Sequence, residues 1–300
     1  MPETSKLSEY LKPENLQKLA RMEIIARLVV EGFITGMHKS PHRGFSVEFA
    51  EHRQYVPGDE IRHINWKAFA RSDRYYIKQY EEETNLRGYI LLDCSASMSY
   101  QSNGSVSKLF YGKCLAAALS YLMLQQQDSA GLITFDSAVK TYLPPRANPT
   151  HLKAILHQID EAKIGKETSL SNIFHDLAER IKKRGLIIII SDLFDNIKDI
   201  MSGLTHFRHK KHEVLIFQVL DPDELTFPFR SWTMFNNLEN DGHKLLTEPQ
   251  RIRAAYLRSL NGFVAELRRG CGQKRIDFEQ LNTRVPFDTA LAAYLANRMS

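Results

Sequence analysis

Apolar and polar positions change their rhythm near residue 86. From Gly88 onward, short apolar runs alternate with amphipathic stretches. Gly88-Tyr-Ile-Leu-Leu-Asp93 is an apolar run that ends in a carboxylate. Val106 to Gln126 reads as a helix, with Phe110, Cys114, Ala117, Ala118 and Tyr121 on one face. Ala130 to Phe135 and Val139 to Leu143 read as strands. Leu170, Ile173, Phe174, Leu177, Ala178 and Ile181 form a helical stripe, stopped by Lys182, Lys183, Arg184 and Gly185. Leu186 to Ile190 and Val214 to Val219 are unbroken apolar runs, as strands buried on both faces require. Strands and helices alternating at these lengths predict an α/β fold, with a mostly parallel sheet and helices on both faces. Residues 221–248 are polar and aromatic, with Pro222, Pro228 and Asp241-Gly242, and read as an inserted loop region. A helix beginning near Pro249 carries Ile252, Tyr256, Leu260, Phe263, Val264 and Leu267. A short strand near Arg275 to Phe278 and a helix from Asp288 close the chain.

Residues 1–85 are of another kind and are predicted to be an N-terminal extension packed on a main domain of residues 86–300. They hold an amphipathic stretch, Leu16 to Val30, then a polar, aromatic-rich segment with a turn at Pro57-Gly58-Asp59 and a strand within Arg74 to Tyr80. Phe45, Phe49, Tyr55, Ile61, Trp66, Phe69, Tyr75 and Ile77 are too apolar for a solvated linker. The composition is that of an ordinary globular protein, with 43% hydrophobic and 25% charged residues. A net charge of +5 does not mark a nucleic-acid binder. The three cysteines, Cys94, Cys114 and Cys271, are too scattered for a disulfide framework or a zinc site. No apolar run reaches the ~18 residues that span a bilayer. The first ten residues lack the basic-then-apolar pattern of a signal peptide, so the expected location is the cytoplasm.

Chemistry concentrates where two predicted strands end. In open parallel sheets, ligands sit beyond the carboxyl ends of the strands. One strand ends in Asp93-Cys94-Ser95-Ala96-Ser97, the other in Ser191-Asp192. Gly165-Lys166-Glu167-Thr168 lies between them in sequence, just before a helical stripe. A carboxylate and two hydroxyls at alternate positions can converge on one point if the turn is tight. Such hard oxygens suit Mg²⁺ or Mn²⁺ rather than zinc. Asp and Ser also cap helices, so Asp-x-Ser-x-Ser carries weight chiefly through its strand-end position.

The run DCSASM, followed by KETSL and IISDL, resembles the metal-ion-dependent adhesion site of von Willebrand factor A domains. The upstream segments FAEHRQYVPGDEIRHINWKAFAR and KQYEEET resemble a more specific group, bacterial domain-of-unknown-function family 58, over roughly residues 35–290. Members of that family often accompany MoxR-type AAA+ ATPases. The resemblance implies a von Willebrand factor A-like, Rossmann-like fold. It implies a metal held by Ser95, Ser97 and Thr168, with Asp93 and Asp192 acting mainly through bound water. It implies a binding module that partners a MoxR-type ATPase, not an enzyme. Asn65 departs from the family pattern, which has an aspartate before the tryptophan.

Other functional classes fit less well. A metal-dependent phosphohydrolase or nuclease would use Asp93, Asp192 and Asp195, but such enzymes hold several carboxylates on the metal and need a base. No Gly-rich phosphate loop is present. Arg53, Arg62, Trp66, Lys67 and Arg71 could serve nucleic acid, yet Asp59, Glu60 and Asp73 interrupt them, and an ion-pair network is the better reading. His206, His209 and His212 sit among Arg208, Lys210 and Lys211, which repel a cation. They read as a solvated basic helix end. Cys94 has no base nearby in sequence and reads as a packing residue.

Overall fold

The main sheet sorts its strand residues onto two faces, and each face builds its own core. Residues 13–17, 19, 21–38, 52–54, 76–78, 86–165, 170–238 and 244–299 are described by the computed structural model. In chain order the elements begin with a short helix α1 (Pro13–Leu16), α2 (Met22–His38), β1 (His52–Gln54) and β2 (Tyr76–Lys78). The main alternation follows: β3 (Arg87–Asp93), α3 (Lys108–Gln125), β4 (Ser129–Phe135), β5 (Val139–Arg146), α4 (Pro149–Glu161) and α5 (Leu170–Arg180). It continues with β6 (Leu186–Ser191), α6 (Ile197–His209), β7 (Glu213–Leu220) and α7 (Pro222–Thr226). Last come β8 (Thr233–Asn236), β9 (Lys244–Thr247), α8 (Pro249–Gln273), β10 (Asp277–Asn282) and α9 (Asp288–Met299).

Six strands form one sheet in the order β10-β7-β6-β3-β4-β5. All neighbours are parallel except β5, which runs antiparallel to β4. Ile90, Leu92, Ile188, Ile190, Leu215 and Phe217 point to one face and pack with residues of α2, α3, α4 and α9. Tyr89, Leu91, Ile187, Ile189, Val214 and Ile216 point to the other and pack with α5, α6 and α8. This is the period-2 alternation of a strand, with both faces dry. The fold is thus the expected α/β arrangement: a mostly parallel, Rossmann-like sheet with helices on both sides.

The chain separates into two compact units, residues 1–38 with 86–300, and residues 39–85. Of the second unit, the antiparallel pair β1–β2 is described. A division falls at residue 85 as expected, but residues 1–38 group with 86–300 rather than with the rest of the predicted extension. In α2, Met22, Ile25, Ala26, Val29, Val30 and Phe33 are buried within the first core, so this helix is part of the main fold. Its partner α3 explains why: Leu115, Ala116, Leu119, Leu122 and Met123 are buried as well as Cys114, Ala117 and Ala118. A helix that is apolar all round must be covered all round. Residues 221–248 carry more than a loop. They hold α7 and the antiparallel hairpin β8–β9, and Phe227 at the end of α7 stacks on Phe235 of β8 at 5.6 Å between ring centroids. Strands of four residues are too short for an alternation that sequence can reveal.

Candidate metal centre

Four neighbouring parallel strands each deliver an aspartate to the same rim. Asp136 follows β4, Asp93 ends β3, Asp192 follows β6 and Asp221 follows β7; all four are buried. Each carboxylate accepts a hydrogen bond from the backbone N–H two residues on: from Ser95 at 2.8 Å, Ala138 at 3.1 Å, Phe194 at 3.3 Å and Asp223 at 2.8 Å. This local turn explains why aspartate suits the end of a strand. It serves structure alone, and so the second oxygen of each carboxylate is the informative one.

Those second oxygens differ. Asp136 Oδ2 lies 3.1 Å from the ammonium of Lys140. Asp221 Oδ2 accepts from the Ser102 N–H at 3.1 Å and stays within 3.4 Å of the Thr283 hydroxyl. Asp192 Oδ2 is held by the Lys108 ammonium at 2.8 Å. Asp93 Oδ2 accepts from the Ser191 hydroxyl at 2.6 Å, so both of its oxygens meet neutral donors. Burial, and next the charge of Asp192, push the Asp93 carboxyl up to about 7, against the pull of Ser191 and Ser95. Asp93, whose partners are neutral donors, is therefore incompletely neutralised beside the Lys108-paired Asp192, a state that a divalent cation relieves.

The hydroxyls stand beside them. Ser95 begins the turn after β3, with extended backbone (φ −61°, ψ 164°), and a short 3₁₀ turn, Ala96–Ser99, brings Ser97 back to the rim. Ser95 Oγ and Ser97 Oγ are 3.1 Å apart. Two oxygens at right angles on an ion with bonds of ~2.1 Å lie about 3 Å apart, so the spacing suits Mg²⁺ or Mn²⁺. One of the two hydroxyls donates to the other. Among the described residues no group of three or more His, Cys, Asp or Glu is arranged to hold a metal. The donor set here would instead be two hydroxyls with flanking carboxylates, and it fits a hard cation. Thr168 lies outside the described residues. Its flanks are anchored at the rim: the Gly165 N–H donates to the Cys94 carbonyl at 2.7 Å, and the Leu170 N–H to Asp195 Oδ2 at 2.9 Å. A side chain at Gly165 would collide with the Asp136 carboxylate, at 1.9 Å from Oδ2, so the glycine permits that approach.

Sheet topology explains the location. β3 is followed by β4 and β5 on one side, whereas β6, β7 and β10 add on the other. Asp93 and Asp192 thus flank the point at which the strand order reverses, where such sheets open a crevice. The turn after β6 is tight there. Leu193 has φ 58°, left-handed and uncommon for a bulky residue, and its N–H donates to Ser191 Oγ at 3.0 Å. Asp195, the further carboxylate considered for hydrolysis, spends both oxygens on backbone N–H groups, of Asn196 at 2.7 Å and Leu170 at 2.9 Å. Cys94 is buried, and burial, followed by the Asp93 charge, pushes its thiol up to about 12, which suits packing rather than nucleophilic attack.

Three residues of the rim escape a reading of motifs. Asp136 and Asp221 could have been found, because LITFD and FQVLD repeat the apolar-run-then-Asp pattern of YILLD and IIIISD. Lys108 carries no such signal. It is 84 positions from Asp192 and 116 from Glu224, and it meets both only in the folded chain. Burial alone would favour its neutral amine, but Asp192 and Glu224 outweigh this and hold it above the ordinary lysine range. Burial raises the Glu224 carboxyl, with Lys108 pulling it back.

An open, mostly parallel sheet with polar groups gathered at its switch point places the chain in the Rossmann-like α/β class. Within that class it belongs to a family described as protein of unknown function DUF58, whose profile matches residues 51–262. It is similar to Uncharacterized protein Rv1480 of Mycobacterium tuberculosis and to Uncharacterized protein Mb1516 of Mycobacterium bovis. Each is 26% identical over 266 residues, covering 87% of this chain and 83% of the relative. Two solved structures are also similar. The conserved hypothetical protein BatB from Bacteroides thetaiotaomicron has a TM-score of 0.48 and 18% identity, over 71% of this chain and 98% of its own. An aerotolerance-related membrane protein from Bacteroides fragilis has a TM-score of 0.47 and 19% identity, over the same 71% and 98%. Among the described residues, no helix is long and apolar enough to cross a membrane.

Proposed function

We propose that this rim is a divalent-cation site of the von Willebrand factor A type and that the protein is a binding module, not an enzyme. One observation carries the reading: Ser95 and Ser97 bring their hydroxyls to 3.1 Å beside Asp93, a buried carboxylate whose own partners are neutral. Ser95, Ser97 and Thr168 would hold Mg²⁺ or Mn²⁺ directly, with Asp93 and Asp192 behind bound water. The ion would supply an electrophile with an open position, and a carboxylate on a partner protein can fill it. The partner we favour is a MoxR-type AAA+ ATPase in the cytoplasm, an assignment that rests on the family resemblance. A hydrolytic role is less well supported, because Asp195 is committed to the turn before α6 and to the start of α5.

The measurement is Mn²⁺ titration of the whole protein by calorimetry. One weak site is expected, absent in Asp93→Ala and reduced at least tenfold in Ser97→Ala. Identical titrations for parent and Asp93→Ala would sink the assignment. Recovery of the candidate ATPase in a pull-down should fall when EDTA is added; equal recovery would mean that the ion does not make the contact.

A further inference from the structure

Lys108 occupies an improbable place for a cation. It is the first residue of α3, where the helix dipole is positive, and it is 0% exposed. Two carboxylates keep it charged there. Its ammonium lies 2.8 Å from Asp192 Oδ2 and 2.6 Å from Glu224 Oε1, and sits 5.1 Å from the ring centroid of Phe194. Asp192 belongs to the candidate metal centre. Glu224 belongs to α7, beyond the end of the next strand, β7. A monovalent cation is thus already seated on one of the two carboxylates that flank the hydroxyl pair.

We propose that Lys108 is a resident competitor of the divalent ion: it neutralises Asp192 when no ion is bound, and the division of its ammonium between Asp192 and Glu224 sets how strongly the rim takes a cation. The inference rests on the reading of the rim as a cation site. Its basis is charge. Asp93 and Asp192 together offer two negative charges, and Lys108 returns one positive charge. An incoming Mg²⁺ is repelled by the ammonium and must draw Asp192 away from it. Without Lys108, two buried carboxylates would hold a divalent ion firmly. With it, the bound ion stays short of negative charge, and a carboxylate from a partner protein completes it. Binding of the ion and of the partner then reinforce each other.

Glu224 makes the exchange workable. Its other oxygen, Oε2, accepts the Asp221 N–H at 2.7 Å as half of the capping box of α7. Glu224 is therefore fixed without help from Lys108 and offers the ammonium a partner while Asp192 turns to the ion. If Glu224 lost its charge, Lys108 would rest on Asp192 alone and the divalent ion would bind less well. The two sides of the ion pair thus have opposite effects on affinity. A purely structural salt bridge has no such sign reversal: breaking it from either side loosens the fold.

The test uses the full chain and Mn²⁺ alone, with free Mn²⁺ followed by electron paramagnetic resonance at fixed ionic strength. Lys108→Met is expected to tighten Mn²⁺ binding by about tenfold, and Glu224→Gln to weaken it severalfold. Lys108→Arg, which keeps the charge, should stay near the parent. Thermal melts in EDTA establish which variants fold. A folded Lys108→Met that binds Mn²⁺ no more tightly than the parent overturns the proposal. If Lys108→Met does not fold, Glu224→Gln decides alone: weaker binding supports the proposal, and equal or tighter binding overturns it. If neither parent nor Lys108→Met shows Mn²⁺ binding that Asp93→Ala removes, the cation site itself fails. That result differs from a working site indifferent to Lys108.

Discussion

Three histidines in one short segment have separate fates. His206 and His209 lie exposed at the end of α6, as a solvated basic helix end should. His212 is 1% exposed, accepts the Gly185 N–H on Nδ1 at 3.3 Å, and meets Tyr89 and Phe207 edge to face. It is a structural residue, which its basic neighbours hide in the sequence. Burial, only partly offset by backbone hydrogen bonds, lowers its pKa from the usual 6.5. The folded protein takes up this proton less readily than the unfolded chain. The stability contributed is therefore complete above about pH 6.5 and is lost as pH falls through the lowered folded value. Thermal melts from pH 8 to 5 should fall more steeply for the parent than for His212→Gln, which cannot take up a proton and can still accept from Gly185. Parallel curves would show that His212 does not carry this loss.

At the scale of elements, α5 and α6 depend on a glycine for their approach. A Cβ at Gly203 of α6 would lie 2.6 Å from Phe174 Cβ in α5, an atom at the root of its side chain that cannot swing aside. Gly203→Ala is expected to cost about 1–3 kcal/mol as overpacking, despite the better helix propensity of alanine. Chemical denaturation measures it; an unchanged or raised midpoint would show that the two helices separate freely. The α5 stripe was legible because only one side of that helix is buried, at Leu170, Ile173, Phe174, Leu177 and Ala178. The helix α4 was not anticipated, although it carries its own start signal. Asn148 accepts the His151 N–H at 2.6 Å, and Pro149 opens the helix. Its buried set is small, His151, Ile155, Leu156 and Ile159, among exposed polar residues, so the apolar period is faint.

For the whole molecule, α2 decides where the main fold begins. Ile25, Ala26 and Val30 are 0% exposed, and α2 packs against α3 and α4. Each large aliphatic side chain so buried contributes about 1.5–3 kcal/mol. A fragment of residues 86–300, the domain suggested by sequence, lacks this cover and leaves the apolar outer side of α3 in water. It is expected to aggregate or to bind a hydrophobic dye, and to lose its cooperative melt. A monodisperse 86–300 fragment that melts as sharply as the parent would contradict this role for α2.

Local chemistry set what could be known before folding. Apolar runs ending in aspartate reveal the central strands, because a strand buried on both faces must be apolar and the carboxylate caps the turn that follows. Spacing alone brought Asp93, Ser95 and Ser97 forward, since one tight turn is enough to gather them. Other features needed the third dimension. Strand order at the switch point sets Asp93 beside Ser191. Long-range packing makes α2 part of the core and buries His212. Above all, the partners of Lys108 lie in elements that sequence keeps far apart. A buried charge is tolerated only where the fold supplies opposite charges around it, and no local pattern records where those charges will be.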